Sequence, residues 1–146
     1  MGYNQAYSAY QKTNITTASQ GHLIVLLYEA AVKNLKNALS CFEEDGKIHV
    51  DSIEKFSNCI QKTQAIISEL QVSLDMEKGG EISKNLMSLY IFFNSELLDA
   101  TFKHDKKKIE NIHTMMSDLL SAWRTAAAST ANAPAQETRP ALNIEG

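Results

Sequence analysis

The 146-residue chain predicts an all-α fold, an antiparallel four-helix bundle with a short N-terminal helical segment and a disordered C-terminal tail. Three observations carry that prediction. Apolar residues recur three and four positions apart along four stretches of more than ~20 residues each, the pattern of helices that bury one side. Glycine and proline are scarce, 6 and 2 in all, so little interrupts those stretches. The connections between them are short, which makes successive helices antiparallel neighbours.

Residues 3–12 hold Tyr3, Tyr7 and Tyr10, spaced to share a face if one or two helical turns form. So short a helix is marginal in water unless it packs on something, and residues 1–18 are therefore assigned to a segment that lies on the bundle. Asn14 to Ala18 is β-branched and a poor helix, which leaves Ser19 as the N-cap of the first long helix. That helix runs to about Phe42, where Asp45-Gly46 ends it. Leu23, Leu26, Leu27, Ala30 and Ala38 form its inward stripe, while Ile24, Val25, Tyr28, Val32, Leu35 and Leu39 form a second apolar row. Only Glu29, Lys33, Lys36, Asn37 and Ser40 mark a polar strip, so this helix has to be buried from two sides.

The second helix spans about Asp51 to Leu74, with Ile53, Phe56, Ile60, Thr63, Ile67, Leu70 and Leu74 on one stripe. Gly79-Gly80 breaks the chain, and a third helix follows from Glu81 to about Lys103. Its core stripe is Ile82, Leu86, Leu89, Tyr90, Phe93, Leu97 and Ala100, and Met87, Ile91 and Leu98 add a second apolar row. Asp105 caps a fourth helix that runs to about Ala127 and directs Ile109, Ile112, Met116, Leu119, Leu120 and Trp123 to one face. The bundle proper is thus 19–128. Residues 129–146, rich in Ala, Ser, Thr and Asn and carrying Pro134 and Pro140, read as a flexible tail.

Composition excludes several functions. A formal charge of -3 argues against nucleic acid, which is held by clustered Lys and Arg; the run Lys103, Lys106, Lys107, Lys108 reads as a solvated loop. No apolar run is long enough to span a bilayer and no leader opens the chain, so no membrane insertion is expected and the protein belongs in the cytosol. Cys41 and Cys59 lack metal-ligand spacing and read as reduced packing residues. A di-iron bundle needs two Glu-x-x-His pairs and further carboxylates, and Glu110 with His113 is a single pair. His22, His49 and His104 have no matching ligand set, and no phosphate loop or activated nucleophile is present. The sequence therefore points to no metal, no cofactor and no catalytic residue.

What remains is the apolar surplus on the first and third helices. It suits a groove for an amphipathic helix, and the alternative is a homodimeric structural or regulatory bundle that covers the surplus with a second copy.

Two blocks of residues resemble the flagellar secretion chaperones of the FliS family. Thr16-Thr17-Ala18-Ser19-Gln20-Gly21-His22-Leu23, followed by Leu26-Leu27-Tyr28-Glu29-Ala30-Ala31, is similar to that family's Thr-Ala-Ser-Pro…Met-Leu-Tyr-Asp-Gly-Ala signature. Gln20 replaces its Pro, His22 an acidic residue, and Glu29-Ala30 its Asp-Gly. Ser73-Leu74-Asp75…Gly79-Gly80-Glu81-Ile82, with Asn85-Leu86 and Leu89-Tyr90, resembles a second family block, and Ala122-Trp123 fits a third. The resemblance implies a cytosolic chaperone that binds the disordered C-terminal region of flagellin in hydrophobic grooves, prevents its polymerisation and delivers it to the flagellar type III export gate. Some members also bind an anti-sigma factor or a co-chaperone. Surplus rows and resemblance together nominate Tyr7, Tyr10, Ile24, Tyr28, Leu35, Met87, Ile91 and Leu98 as client-binding residues.

Overall fold

A computed structural model describes the backbone of residues 17–131 and the side chains of residues 21–129. Four long helices build the bundle: α1 Thr17–Leu39, α2 Ile53–Ser73, α3 Gly80–Lys103 and α4 Lys106–Ala131. Each packs on its neighbours in a ring, α1 against α2 and α4, and α3 against α2 and α4, so α1 and α3 face each other across the centre. The expectations for the segment before residue 17 and for the tail beyond 131 lie outside the described residues.

Helix ends differ from the sequence reading by a few residues, each for a local reason. Helix α1 begins at Thr17 and not at a Ser19 cap. It also stops at Leu39, because the next amides pair more tightly, Cys41 N–H to Ala38 O at 3.1 Å and Phe42 N–H to Leu39 O at 3.2 Å. Gly46, at a φ of +82°, then lets the chain reverse, and Phe42 pairs antiparallel with Ile48. A single 3-10 turn, Val50–Ser52, leads into α2, with His49 Nδ1 accepting from Asp51 N–H at 3.1 Å. Helix α4 opens as its sequence requires: Asp105 Oδ1 accepts from Lys108 N–H at 3.2 Å, satisfying one of the orphan donors of a helix start.

The α2–α3 connection explains one of the two motif blocks physically. Asp75 Oδ1 accepts from the amides of Glu77 at 3.0 Å and Lys78 at 2.9 Å. Its carbonyl accepts from Gly79 N–H at 2.9 Å and from the buried Ser83 hydroxyl at 2.8 Å. Gly80 supplies a φ of +54° that a side chain would resist. These contacts set where α3 starts, and hence where its faces point.

The core runs the length of the bundle. Phe56, Ile60, Ile67 and Leu70 of α2, Tyr90, Phe93 and Leu97 of α3, and Ile109 and Met116 of α4 are wholly buried. Burial of each such side chain contributes roughly 1.5–3 kcal/mol. From α1 the interior row is Ile24, Tyr28, Ala31, Leu35 and Ala38, alternately four and three residues apart. At the centre the hydroxyls of Tyr28 and Tyr90 hydrogen-bond across the diagonal, and the Trp123 ring lies 6.2 Å from that of Tyr28. Among the described residues, no helix is long and apolar enough to cross a membrane.

A candidate docking surface on helix α3

The row nominated on α1 is buried. Ile24, Tyr28 and Leu35 belong to the core and present nothing to a partner. Of the α1 residues expected to point inward, Leu23 and Leu26 are 45% and 46% exposed, Leu27 and Ala30 are half-buried, and Ala38 is buried. The reason is closeness of packing: α1 packs more extensively against α2 and α4 than α3 does, so its broad apolar circumference is largely consumed by the protein itself. Alternation distinguishes the two rows. Ile24, Tyr28, Ala31, Leu35 and Ala38 keep the three-four spacing along the whole helix, whereas the Leu23–Leu26 row reaches Lys33 and Lys36 after Ala30. Burial also pushes the Tyr28 hydroxyl up to about 12, against hydrogen bonds from Tyr90 and Trp123 that pull it down.

Helix α3 does keep a free apolar side. Ile91 is 55% exposed and Leu98 53%, and between them Ser95 is exposed too. Met87 is half-buried one turn earlier, its sulfur 3.6 Å from Gln71 Nε2 of α2. Phe102, which sequence reasoning passed over, is the most exposed large apolar residue described, at 79%. Its signal was present, since it continues the Ile91, Leu98 spacing by one turn. Tyr7 and Tyr10 lie outside the described residues.

On its other flank α3 meets α4 across a seam with an open pocket of about 310 Å³, lined by Phe92, Ile112 and Met115 among others. Salt bridges close one end. Lys108 Nζ lies 3.0 Å from Glu96 Oε1 and 3.3 Å from Asp99 Oδ2, and Lys103 lies 3.2 Å from Asp99. The hydrogen bond to Glu96 raises the Lys108 pKa, and that from Lys103 lowers the Asp99 pKa. Both groups stay charged near neutrality, so this flank of α3 is a charged one. A second tie, Arg124 to Glu29 at 2.8 Å, joins α4 to α1. Among the described residues no group of three or more His, Cys, Asp or Glu is placed to hold a metal.

Taken together, an exposed apolar row on a helix can take up apolar side chains of another polypeptide. Comparison with known proteins bears on which polypeptide. The family model described as flagellar protein FliS matches residues 3–130. A flagellar secretion chaperone FliS of Bacillus subtilis is 30% identical over 126 residues, covering 86% of this chain and 89% of its own. Relatives of the same name from Salmonella typhimurium and Campylobacter jejuni are 33% and 32% identical, covering 75% and 85% of this chain and 78% and 92% of theirs.

Proposed function

Since the chain belongs to the FliS family of flagellar proteins, a chaperone family and not an enzyme family, we propose that within its role in flagellar export its client is flagellin. It binds the disordered C-terminal region of flagellin in the cytosol, keeps that region from polymerising, and hands it to the export gate of the flagellar type III apparatus. The observation that carries this reading is the apolar row of α3, Met87, Ile91 and Leu98, extended by Phe102. A segment that folds on binding must recover an ordering cost of several kcal/mol, typically about 2–5 or more. Four large apolar contacts, each worth up to about 1.5–3 kcal/mol when fully covered, are of the right size.

Calorimetric titration of the full chain with the C-terminal segment of its own organism's flagellin tests the proposal. Binding with a large negative heat-capacity change and a gain of helical circular dichroism is expected, the mark of folding coupled to apolar burial. Absence of binding heat at several temperatures overturns it.

A further inference from the structure

Helices α2 and α3 present matching rows on their shared outer side. On α2 the row is Gln61, Ala65, Ser68 and Val72, and on α3 it is Ile91, Ser95, Leu98 and Phe102. Each is spaced four, three and four residues, so each forms a single stripe about 16 Å long. All eight residues are exposed. Asn94 marks the register between the stripes, its Nδ2 donating to Ser68 Oγ at 3.4 Å and to Gln71 Oε1 at 3.3 Å. With the helices antiparallel, Val72 then lies close to level with Ile91, and Gln61 with Phe102.

None of the eight carries a charge, in a chain that is 21% Asp, Glu, Lys and Arg. The charges nearest in line with the stripes are Glu54 of α2 and Lys84 of α3, each seven residues before its row, and the other charges of these helices lie on different flanks. Glu96 and Asp99 of α3 lie on its α4 flank, where Lys108 binds both. Lys55, Lys62 and Glu69 of α2 recur every seventh residue on a different stripe. The polar groups between the rows are also under-engaged. Both Asn94 bonds are long, Gln71 Nε2 donates to the weakly accepting sulfur of Met87, and the buried Asn94 Oδ1 has no hydrogen-bond partner.

We propose that this α2–α3 face seats one amphipathic helix whose contacting side is free of charge, and that the missing charges select it. The inference deepens the client reading above and rests on it for the identity of the natural occupant. A Lys or Glu pressed onto this face loses water and finds no counter-charge. A Gln or Ser in its place meets amide and hydroxyl groups that are loosely held and can re-pair. Exclusion of the wrong partner thus accompanies attraction of the right one, and the complex depends little on ionic strength because no ion pair forms in it.

Two synthetic helical peptides test this on the full chain by calorimetry. They share one Leu/Ala stripe, flanked in one by Gln and Ser and in the other by Lys and Glu. The neutral peptide is expected to bind at least about tenfold more tightly, with less than about a twofold change between about 50 mM and about 500 mM salt. Ala65→Lys and Ser95→Lys, both at exposed positions, should each weaken it by about tenfold while far-UV circular dichroism stays unchanged. Equal binding of the two peptides, or binding indifferent to both lysine variants, overturns the proposal. So does a dimer of the chain that the same variants abolish, because a second copy would then own the face. The flagellin segment separates this inference from the client reading. If it binds both variants as it binds the native chain, flagellin seats elsewhere and the inference falls alone. If it does not bind at all while the neutral peptide does, the client reading falls and the face keeps its selectivity.

Discussion

Tyr28 and Ile91 are both large, apolar-bodied residues on helices with surplus hydrophobicity, yet their substitution has opposite consequences. Ile91→Asp at an exposed site is expected to leave stability within about 0.5 kcal/mol and to abolish client binding. Tyr28→Asp buries an unpaired carboxylate at the centre of the bundle and should unfold it, at a cost above about 4 kcal/mol; denaturant melts beside binding isotherms separate the two. Tyr28 also imposes a pH limit. Its pKa is raised from 10.0 to about 12 by burial, so the folded state holds the proton more tightly than the unfolded chain. The stabilisation is intact below pH 10 and lost as pH rises toward about 12, by up to about 3 kcal/mol. Urea unfolding followed by circular dichroism across that range should show the decline, and Tyr28→Phe should flatten it. Which α1 residues face inward was only half legible in the sequence. Hydropathy ranks Leu23 and Ile24 alike, and the choice between their rows turns on which one persists beyond Ala30 and on how closely α1 packs against α2 and α4, the second of which is a property of the assembled bundle.

Helix lengths and order followed directly from periodicity, because a buried stripe every three to four residues has few other solutions. The ends were less legible, since they depend on single hydrogen bonds. The reversal after α1 shows why: Glu43 N–H bonds Lys47 O at 2.8 Å and Gly46 N–H bonds Glu43 O at 2.9 Å, a geometry that needs the positive φ of Gly46. Gly46→Ala meets no steric obstacle, so its expected cost, about 1 kcal/mol, is conformational alone. A fall in melting temperature with unchanged helical circular dichroism at low temperature checks it. For α3 the second apolar row was legible as Met87, Ile91 and Leu98, and Phe102 was missed because the helix was taken to be ending there. The charge segregation that divides its two flanks needs the positions of α2 and α4, which no single-helix pattern contains.

Across the whole molecule, the apolar surplus divides into two fates. On α1 it largely joins two neighbouring helices, and on α3 it is left outside. Composition foresaw the surplus but could not apportion it, since the sum of apolar residues is blind to how closely each helix packs on its neighbours. Binding should therefore add burial without remaking the core. Chemical denaturation of the saturated complex is expected to show a midpoint raised with client concentration, as RT ln(1 + [L]/Kd) requires, and an unliganded transition that stays a single cooperative step. A client-independent midpoint would mean that the client has no preference for the folded chain.

The chain has a single tryptophan, Trp123, buried on α4 beside Tyr28 and away from the outer side of α2 and α3. Its emission is thus an internal gauge of whether the bundle is intact, while a guest docking on the far side leaves it dark to the event. A dye-free recording at one wavelength can distinguish an occupied chaperone from a damaged one: the first keeps its indole colour, the second shifts to the red.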